Sequence, residues 1–122
     1  MITAVHTLVY ADDAEAARAF FRDVLGWDHF EIGGLWLIFR AGPAELGVHP
    51  TSDGATWRTE QHHTVSLMCD DLPATMAELR AKGVTFTQEP RDEGYGLTTA
   101  FEVPGAGEMQ LYQPRHPTAY DL

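Results

Sequence analysis

Side chains that could do chemistry are spread over several extended-looking segments of this 122-residue sequence. They are imidazoles, carboxylates, an amide, a guanidinium and aromatic rings: His6, Tyr10, Trp36, Arg40, Glu45, His49, Trp57, His63, Tyr95, Glu102, Glu108, Gln110 and Tyr112. Imidazole nitrogens and carboxylate oxygens can hold a divalent ion or move a proton, and aromatic rings stack on planar or cationic molecules. The sequence contains no glycine-rich phosphate loop, G-x-S-x-G elbow or zinc-knuckle spacing. The chemistry therefore depends on how the fold brings these segments together.

A repeated phrase indicates which elements position these residues. The stretch "YADDAEAARAFFRDVLG" (residues 10–26) is followed, 58 residues later at its Asp-Asp pair, by "CDDLPATMAELRAKG" (residues 69–83). Each copy comes after a strand-like run, "AVHTLVY" or "TVSLMC". In the first copy the apolar residues recur at i, i+3, i+4, i+7 and i+8, which predicts an amphipathic helix.

The ends of both helices carry capping signals. Asp12 or Asp13 can accept hydrogen bonds from the first turn of the first helix, and Gly26 can end it. Asp71 and Gly83 stand at the corresponding positions of the second helix. The two copies therefore predict two helices of similar design.

Three short strands are predicted after each helix, so the chain reads as βαβββ twice. The predicted strands cover roughly residues 4–10, 28–32, 35–40 and 45–49 in the first copy, and 64–69, 84–89, 97–103 and 108–113 in the second. We interpret residues 1–122 as one α+β domain: a first module (about 1–50), a polar linker without periodicity (about 51–60), a second module (about 61–114) and a C-terminal tail (115–122). Two such modules facing each other would form a curved mixed sheet around a cavity.

Alternation along each strand separates a packing face from a cavity face. Uniformly apolar positions, such as Leu67 and Leu111, are assigned to the packing face. The cavity face is then predicted to carry His6, Leu8, Tyr10, Trp36, Ile38, Arg40, Glu45, Gly47, His49, Thr64, Ser66, Met68, Thr98, Ala100, Glu102, Glu108, Gln110 and Tyr112. Trp57 and Tyr95 lie in loops that could close over this face.

Composition and charge limit the kinds of molecule that the protein is expected to bind and where it is expected to be found. The net charge of −10 disfavours binding to nucleic acid; it either attracts cationic small molecules or serves solubility. No apolar run is long enough for a membrane span, and the N-terminal residues lack a basic signal segment, so a cytoplasmic protein is expected. Cys69, the single cysteine, is expected to be buried and inert.

The sequence resembles the vicinal oxygen chelate superfamily, which includes glyoxalase I, extradiol dioxygenases and bleomycin-resistance proteins. The resemblance is carried by "HTLVYADDAEAARAFFRDVLGW", "AELGVHP", "SLMCDDLPATMAELRAKGVTF" and "GEMQLYQP", and it covers nearly the whole chain. It implies the glyoxalase/bleomycin-resistance/dioxygenase fold, in which single-domain members usually complete their cavities as homodimers.

Enzymes of this superfamily hold a divalent ion through residues on the first and last strands of each module. By resemblance, His6 and Glu45 occupy the matching positions of the first module, with His49 as an alternative ligand. The second module departs from the pattern, because Thr64 stands where a histidine is expected and Gln110 where a glutamate is expected. His63 could contribute only through a β-bulge, and Gln110 through its amide oxygen.

Two functions of different class follow from these observations. The first is a metal-independent protein that binds and sequesters a small planar or aromatic molecule. Its predicted ligand-binding residues are His6, Tyr10, Trp36, Arg40, His49, Trp57, Thr64, Met68, Tyr95, Gln110 and Tyr112. The second is a lyase, isomerase or extradiol-type dioxygenase that uses Zn, Ni, Mn or Fe to chelate vicinal substrate oxygens.

In the enzyme alternative, the metal ligands are His6, Glu45, His63 and Gln110, and Glu108 or Glu102 moves a proton. Loss of the second module's strongest donors favours the binding protein. His116, in the C-terminal tail, is expected to be solvated under either hypothesis.

Overall fold

The computed structural model describes residues 6–32, 36–47, 50–61 and 63–121. Its helical elements are α1 (Ala14–Ala19), continued by a π-helical turn (Phe20–Val24), α2 (Leu72–Ala81) and a 3-10 helix (Ala119–Asp121). Its strands are β1 (His29–Ile32), β2 (Trp36–Phe39), β3 (Ser66–Met68), β4 (Arg91–Asp92), β5 (Gly96–Val103) and β6 (Gly107–Pro114). Across these described ranges, no helix has the length and apolar character needed to cross a membrane.

Both predicted helices form, and their caps are confirmed. The Asp13 carboxylate accepts from the Ala16 amide at 3.1 Å, and the Asp71 carboxylate accepts from the Ala74 amide at 3.0 Å. Each helix is followed by a glycine with positive φ, +69° at residue 26 and +89° at residue 83. Only glycine adopts this conformation without strain, so it ends the helix where the pattern predicts.

The second module forms a four-stranded sheet in the order β3-β6-β5-β4. β3 and β6 are parallel, while β5 pairs antiparallel with both β6 and β4. The strand predicted over 84–89 is wrong as a continuous strand: this segment lies beside β5 through a single bridge, Phe86 to Phe101. Regular pairing with β5 is found instead at β4.

The described strands of the first module are β1 and β2, which pair antiparallel with Glu31 opposite Leu37. The strands predicted over 4–10 and 45–49 are not formed at residues 6–10 and 45–47. Their alternating pattern fits a strand, but a strand also needs a neighbouring ladder, and these residues are mostly exposed. The Gly33-Gly34 turn and residues 1–5, 48 and 49 lie outside the described residues.

One hydrophobic core joins the two modules. The Phe20 ring, at the start of the π-helical turn, stacks on Phe101 of β5 with centroids 5.9 Å apart. The Asp13 amide donates to the Gly105 carbonyl at 3.0 Å, which ties the start of α1 to the β5-β6 turn. The buried cluster combines side chains from both helices with one face of the second sheet: Ala17, Phe20, Phe21, Leu72, Met76, Leu79, Val84, Phe101, Val103, Met109 and Leu111. The structure thus confirms the small α+β class with open sheets.

The segment predicted to be a linker contains an ordered turn built on Asp53. Its carboxylate accepts from the amides of Ala55, Thr56 and Trp57 at 2.8–2.9 Å and from the Thr56 hydroxyl at 2.5 Å. These hydrogen bonds lower the pKa of the Asp53 carboxyl below its ordinary value. The turn holds the backbone of Trp57, whose side chain is partly exposed.

The cap of α2 gives a stability prediction with an adjacent control. Asp71→Ala removes the acceptor of the Ala74 amide and should lower the free energy of unfolding by about 1 kcal/mol in urea titrations. Asp70→Ala, one residue away and also exposed, should change it by less than about 0.5 kcal/mol. Equal effects of the two substitutions would show that the cap does not stabilise the helix.

The Asp53 turn gives a prediction for local order. Asp53→Ala should raise the hydrogen-exchange rate of the Trp57 amide about tenfold, because that amide loses its charged acceptor. Glu60→Ala, which removes a surface ion pair with Arg58, should leave this rate unchanged.

The same turn has a defined response to acid. Because the folded-state pKa of Asp53 is lowered, its stabilisation is fully present above the ordinary carboxyl pKa and is lost as pH falls through the lowered value. Protection of the Trp57 amide, corrected for intrinsic exchange, should therefore survive at about pH 4 and decline only in stronger acid. Loss of protection near pH 5 would contradict this assignment.

Candidate functional site

The face of the second sheet that points away from the core carries polar and aromatic side chains. Register places Ser66 opposite Gln110 and Met68 opposite Tyr112 on β3 and β6. The Ser66 hydroxyl donates to the Gln110 side-chain oxygen at 2.6 Å. We call the surface formed by Ser66, Met68, Gln110 and Tyr112 the polar-aromatic face. Three residues predicted to bind ligand, Met68, Gln110 and Tyr112, are thus brought together.

Tyr95 extends the polar-aromatic face from the β4-β5 turn. Its ring meets that of Tyr112 edge to face, with centroids 5.8 Å apart and planes at 71°. Gly96 makes this approach possible, because a Cβ at this position would collide with the Tyr112 ring and the Gln113 carbonyl. Tyr95 itself remains 54% exposed, so its ring is available to a ligand.

His116 is the residue that sequence reasoning missed. Instead of being merely solvated, its Nε2 lies 2.5 Å from the Tyr112 hydroxyl, and its Nδ1 lies 2.8 Å from the Pro117 carbonyl. That carbonyl can only accept, so Nδ1 carries the hydrogen of the neutral ring and Nε2 accepts from Tyr112. The signal that could have identified it was its even spacing from Tyr112. His116 lies four residues after Tyr112, and its side chain stays on the same side of the chain as that of Tyr112 after β6 ends.

Glu45 links the first module to this cluster. Its Oε1 lies 3.8 Å from His116 Nε2, and its Oε2 accepts from the Ala119 amide at 2.8 Å. Burial, assisted by the charge of Glu45 and by Tyr95, raises the pKa of Tyr112. Tyr112 therefore stays protonated at neutral pH and can serve as the donor to His116.

The other predicted site residues are more dispersed. His6, Tyr10, Arg40, His63 and Thr64 are exposed, and Trp57 projects from the Asp53 turn. Glu102 and Glu108 lie directly opposite each other on β5 and β6, at the far end of the polar-aromatic face. The Trp36 side chain and His49 lie outside the described residues. Cys69 is half-buried, and burial raises the pKa of its thiol.

The described residues do not fit the metal centre that the superfamily implies; His49, the alternative ligand, lies outside them. Both oxygens of Glu45 face the C-terminal tail, and the Gln110 side-chain oxygen is engaged by Ser66. Within residues 6–32, 36–47, 50–61 and 63–121, no three His, Cys, Asp or Glu side chains come together in a geometry that could hold an ion. The donor set therefore gives no basis for a metal-dependent step.

Two clefts lie elsewhere on the surface. One, of about 110 Å³, is bounded by Phe20, Val24, Lys82 and Glu102 among others, and a second, of about 340 Å³, lies along the linker between Thr51 and Glu60. Glu102 is a predicted catalytic residue, but neither cleft is lined by a predicted ligand-binding residue. The polar-aromatic face therefore lies outside both clefts.

Comparison with solved structures identifies similar folds at low sequence identity. A lactoylglutathione lyase from Agrobacterium tumefaciens matches with a TM-score of 0.62 at 19% identity, over 92% of this chain and 94% of that one. TnmS3, an antibiotic binding protein from Streptomyces sp. CB03234, matches with a TM-score of 0.60 at 23% identity, over 93% and 99%. A superfamily member from Sphaerobacter thermophilus DSM 20745 matches with a TM-score of 0.58 at 21% identity, over 92% and 98%.

These similarities establish the fold and leave the activity open, because one fold hosts several chemistries. A comparison with curated proteins gave no match. The family model described as Glyoxalase/Bleomycin resistance protein/Dioxygenase superfamily matches residues 3–110, which is most of the chain. The protein therefore belongs to the Glyoxalase/Bleomycin resistance protein/Dioxygenase superfamily.

Proposed function

We propose that the protein binds a small planar, aromatic molecule at the polar-aromatic face and sequesters it without a metal. The observation that carries this proposal is the convergence of Tyr95, Tyr112 and His116 beside the Ser66–Gln110 pair. Aromatic rings supply contact area for a flat molecule, and a few polar groups fix its orientation. Sequestration of a toxic natural product is the physiological role that this arrangement supports.

Electrostatics favour a cationic ligand. The chain carries a net charge of −10, and Glu45 lies within reach of the Tyr112–His116 pair. A planar cation would gain both from this field and from stacking on an aromatic ring. The description of TnmS3 as an antibiotic binding protein belongs to that protein, and it supports the choice of polycyclic probes for this one.

A homodimer is part of this proposal. Large apolar side chains of the first module are exposed in the single chain, with exposed fractions of 54% at Leu8, 63% at Phe30 and 90% at Leu46. Exposed apolar surface of this kind marks contact with another molecule. A second copy would cover these side chains.

Binding of the planar cation proflavine tests the function. Fluorescence anisotropy should show saturable binding that EDTA does not change, with weaker binding of the neutral tricycle acridone. Tyr95→Leu should weaken proflavine binding about fivefold, because an aromatic contact of roughly 1 kcal/mol is lost. Tyr95→Phe, which keeps the ring, should bind like the wild type.

Absence of saturable binding by either tricycle would overturn the proposed function. Binding that EDTA abolishes would instead support the metal-dependent alternative with His6, Glu45, His63 and Gln110 as ligands. Because Tyr95 is exposed, neither substitution should perturb the fold, and circular dichroism checks this directly.

The homodimer is tested by a charge placed on its proposed surface. Leu46→Glu should shift the mass measured by light scattering from dimer to monomer, because burying the added carboxylate would be costly. Ala77→Glu, at an exposed position of α2, should leave the dimer intact. A wild-type protein that is monomeric at about 100 µM would contradict the proposed homodimer.

A further inference from the structure

The C-terminal tail is attached at several points after β6 ends at Pro114. The Arg115 amide donates to the Tyr95 carbonyl at 2.9 Å, and the Arg115 guanidinium pairs with Asp92 at 2.5 Å. These contacts direct the tail along the edge of the polar-aromatic face. We call residues 115–121 the strap.

The strap then reaches across to the first module. His116 contacts Tyr112 and lies 3.8 Å from Glu45, and the Ala119 amide donates to the other oxygen of the same carboxylate. Glu45 is thus contacted at two points by a segment more than 70 residues away in sequence. The Glu45 side chain is only 16% exposed as a result of this environment.

The strap is held by contacts that can be exchanged. Its described attachments are hydrogen bonds, an ion pair and the ring contact of His116 with Tyr112, its 3-10 helix spans three residues, and its Tyr120 side chain is 40% exposed. Segments with few buried apolar contacts open at low free energy while the rest of the protein stays folded. The strap can therefore leave the face without disturbing the core around Phe101.

The present partners of Glu45 bind a carboxylate less strongly than a cationic group would. Among its described contacts are a backbone amide and a His116 nitrogen that is a hydrogen-bond acceptor in the neutral ring, but no Lys or Arg side chain. A largely buried carboxylate gains more from a cationic nitrogen than from a neutral amide. A ligand that presents such a group at this point can replace the strap.

We propose that Glu45 is an exchangeable anchor that holds the strap over Tyr112 in the free protein and binds the cationic nitrogen of the ligand once the strap is displaced. Strap closure stands on the contacts above, and the exchange step rests on the proposed function. Glu45, the first-module position of a metal ligand in related enzymes, thus acquires a gating role in this chain.

Strap closure is tested without any ligand by nitration of tyrosines with tetranitromethane, mapped by mass spectrometry. Tyr10, which is 87% exposed, serves as the internal reference. Ala119→Pro removes the amide donor to Glu45 and should raise nitration of Tyr112 relative to Tyr10 about tenfold. Ala119→Ser keeps the amide and should behave like the wild type.

A second measurement tests the hydrogen bond between the Ala119 amide and Glu45. Glu45→Ala should raise the hydrogen-exchange rate at Ala119 about tenfold, whereas Glu108→Ala, which removes an exposed glutamate elsewhere on the sheet, should not. Unchanged Tyr112 nitration in Ala119→Pro, together with unchanged exchange in Glu45→Ala, would overturn strap closure.

Exchange on Glu45 is tested with proflavine. Ala119→Pro should bind it several-fold more tightly because the competing strap is weakened, while Glu45→Ala should bind it about tenfold more weakly. Equal affinities in the wild type and both variants would overturn the exchange. Failure of proflavine and acridone to bind any variant would overturn the proposed function, while altered nitration would still support strap closure.

Discussion

The packing of the first helix on the second sheet is the contact on which the rest of the structure depends. Phe20 stacks on Phe101, and the amide of Asp13 is fixed to the β5-β6 turn. Besides its helix, the first module contributes β1, β2 and loops in its described part, and its buried side chains, such as Phe20 and Phe21, pack in the core of the second module. By sharing the core of the second module, it is held in place while much of its own surface remains open.

This shared core also decides which face of the second sheet can do chemistry. Side chains such as Phe101 and Leu111 are buried against the helices. Alternation then forces their neighbours, including Gln110 and Tyr112, to the opposite side. The polar-aromatic face is therefore a geometric consequence of the hydrophobic pattern, and its residues are free to vary with function.

The two copies of the repeat have diverged in chemistry while keeping their helices. The capping Asp and terminal Gly are present in both, because each helix needs the same hydrogen bonds and the same positive φ at its end. The second copy has an amide, Gln110, that is satisfied by Ser66 on the neighbouring strand. A paired amide of this kind stabilises the face and offers a poorer ligand than a free carboxylate.

Local rules were enough to predict the helices, β1, β2, β3, β5 and β6, and the side of the second sheet that carries Met68, Gln110 and Tyr112. Each of these follows from periodicity, a cap or a turn, which act over a few residues. The same rules failed at residues 6–10, 45–47 and 84–89, because regular strands also require a partner in register.

The sequence by itself determined the family, the repeated helices and the division of the second sheet into two faces. Only the tertiary structure decided that Glu45 meets His116 and Ala119 instead of joining His6 and Gln110 around an ion. The physical reason is that this meeting joins segments more than 70 residues apart through the path of a tail with no regular periodicity. Periodicity constrains which side of an element a residue faces, whereas the neighbour it meets is set by how distant elements pack.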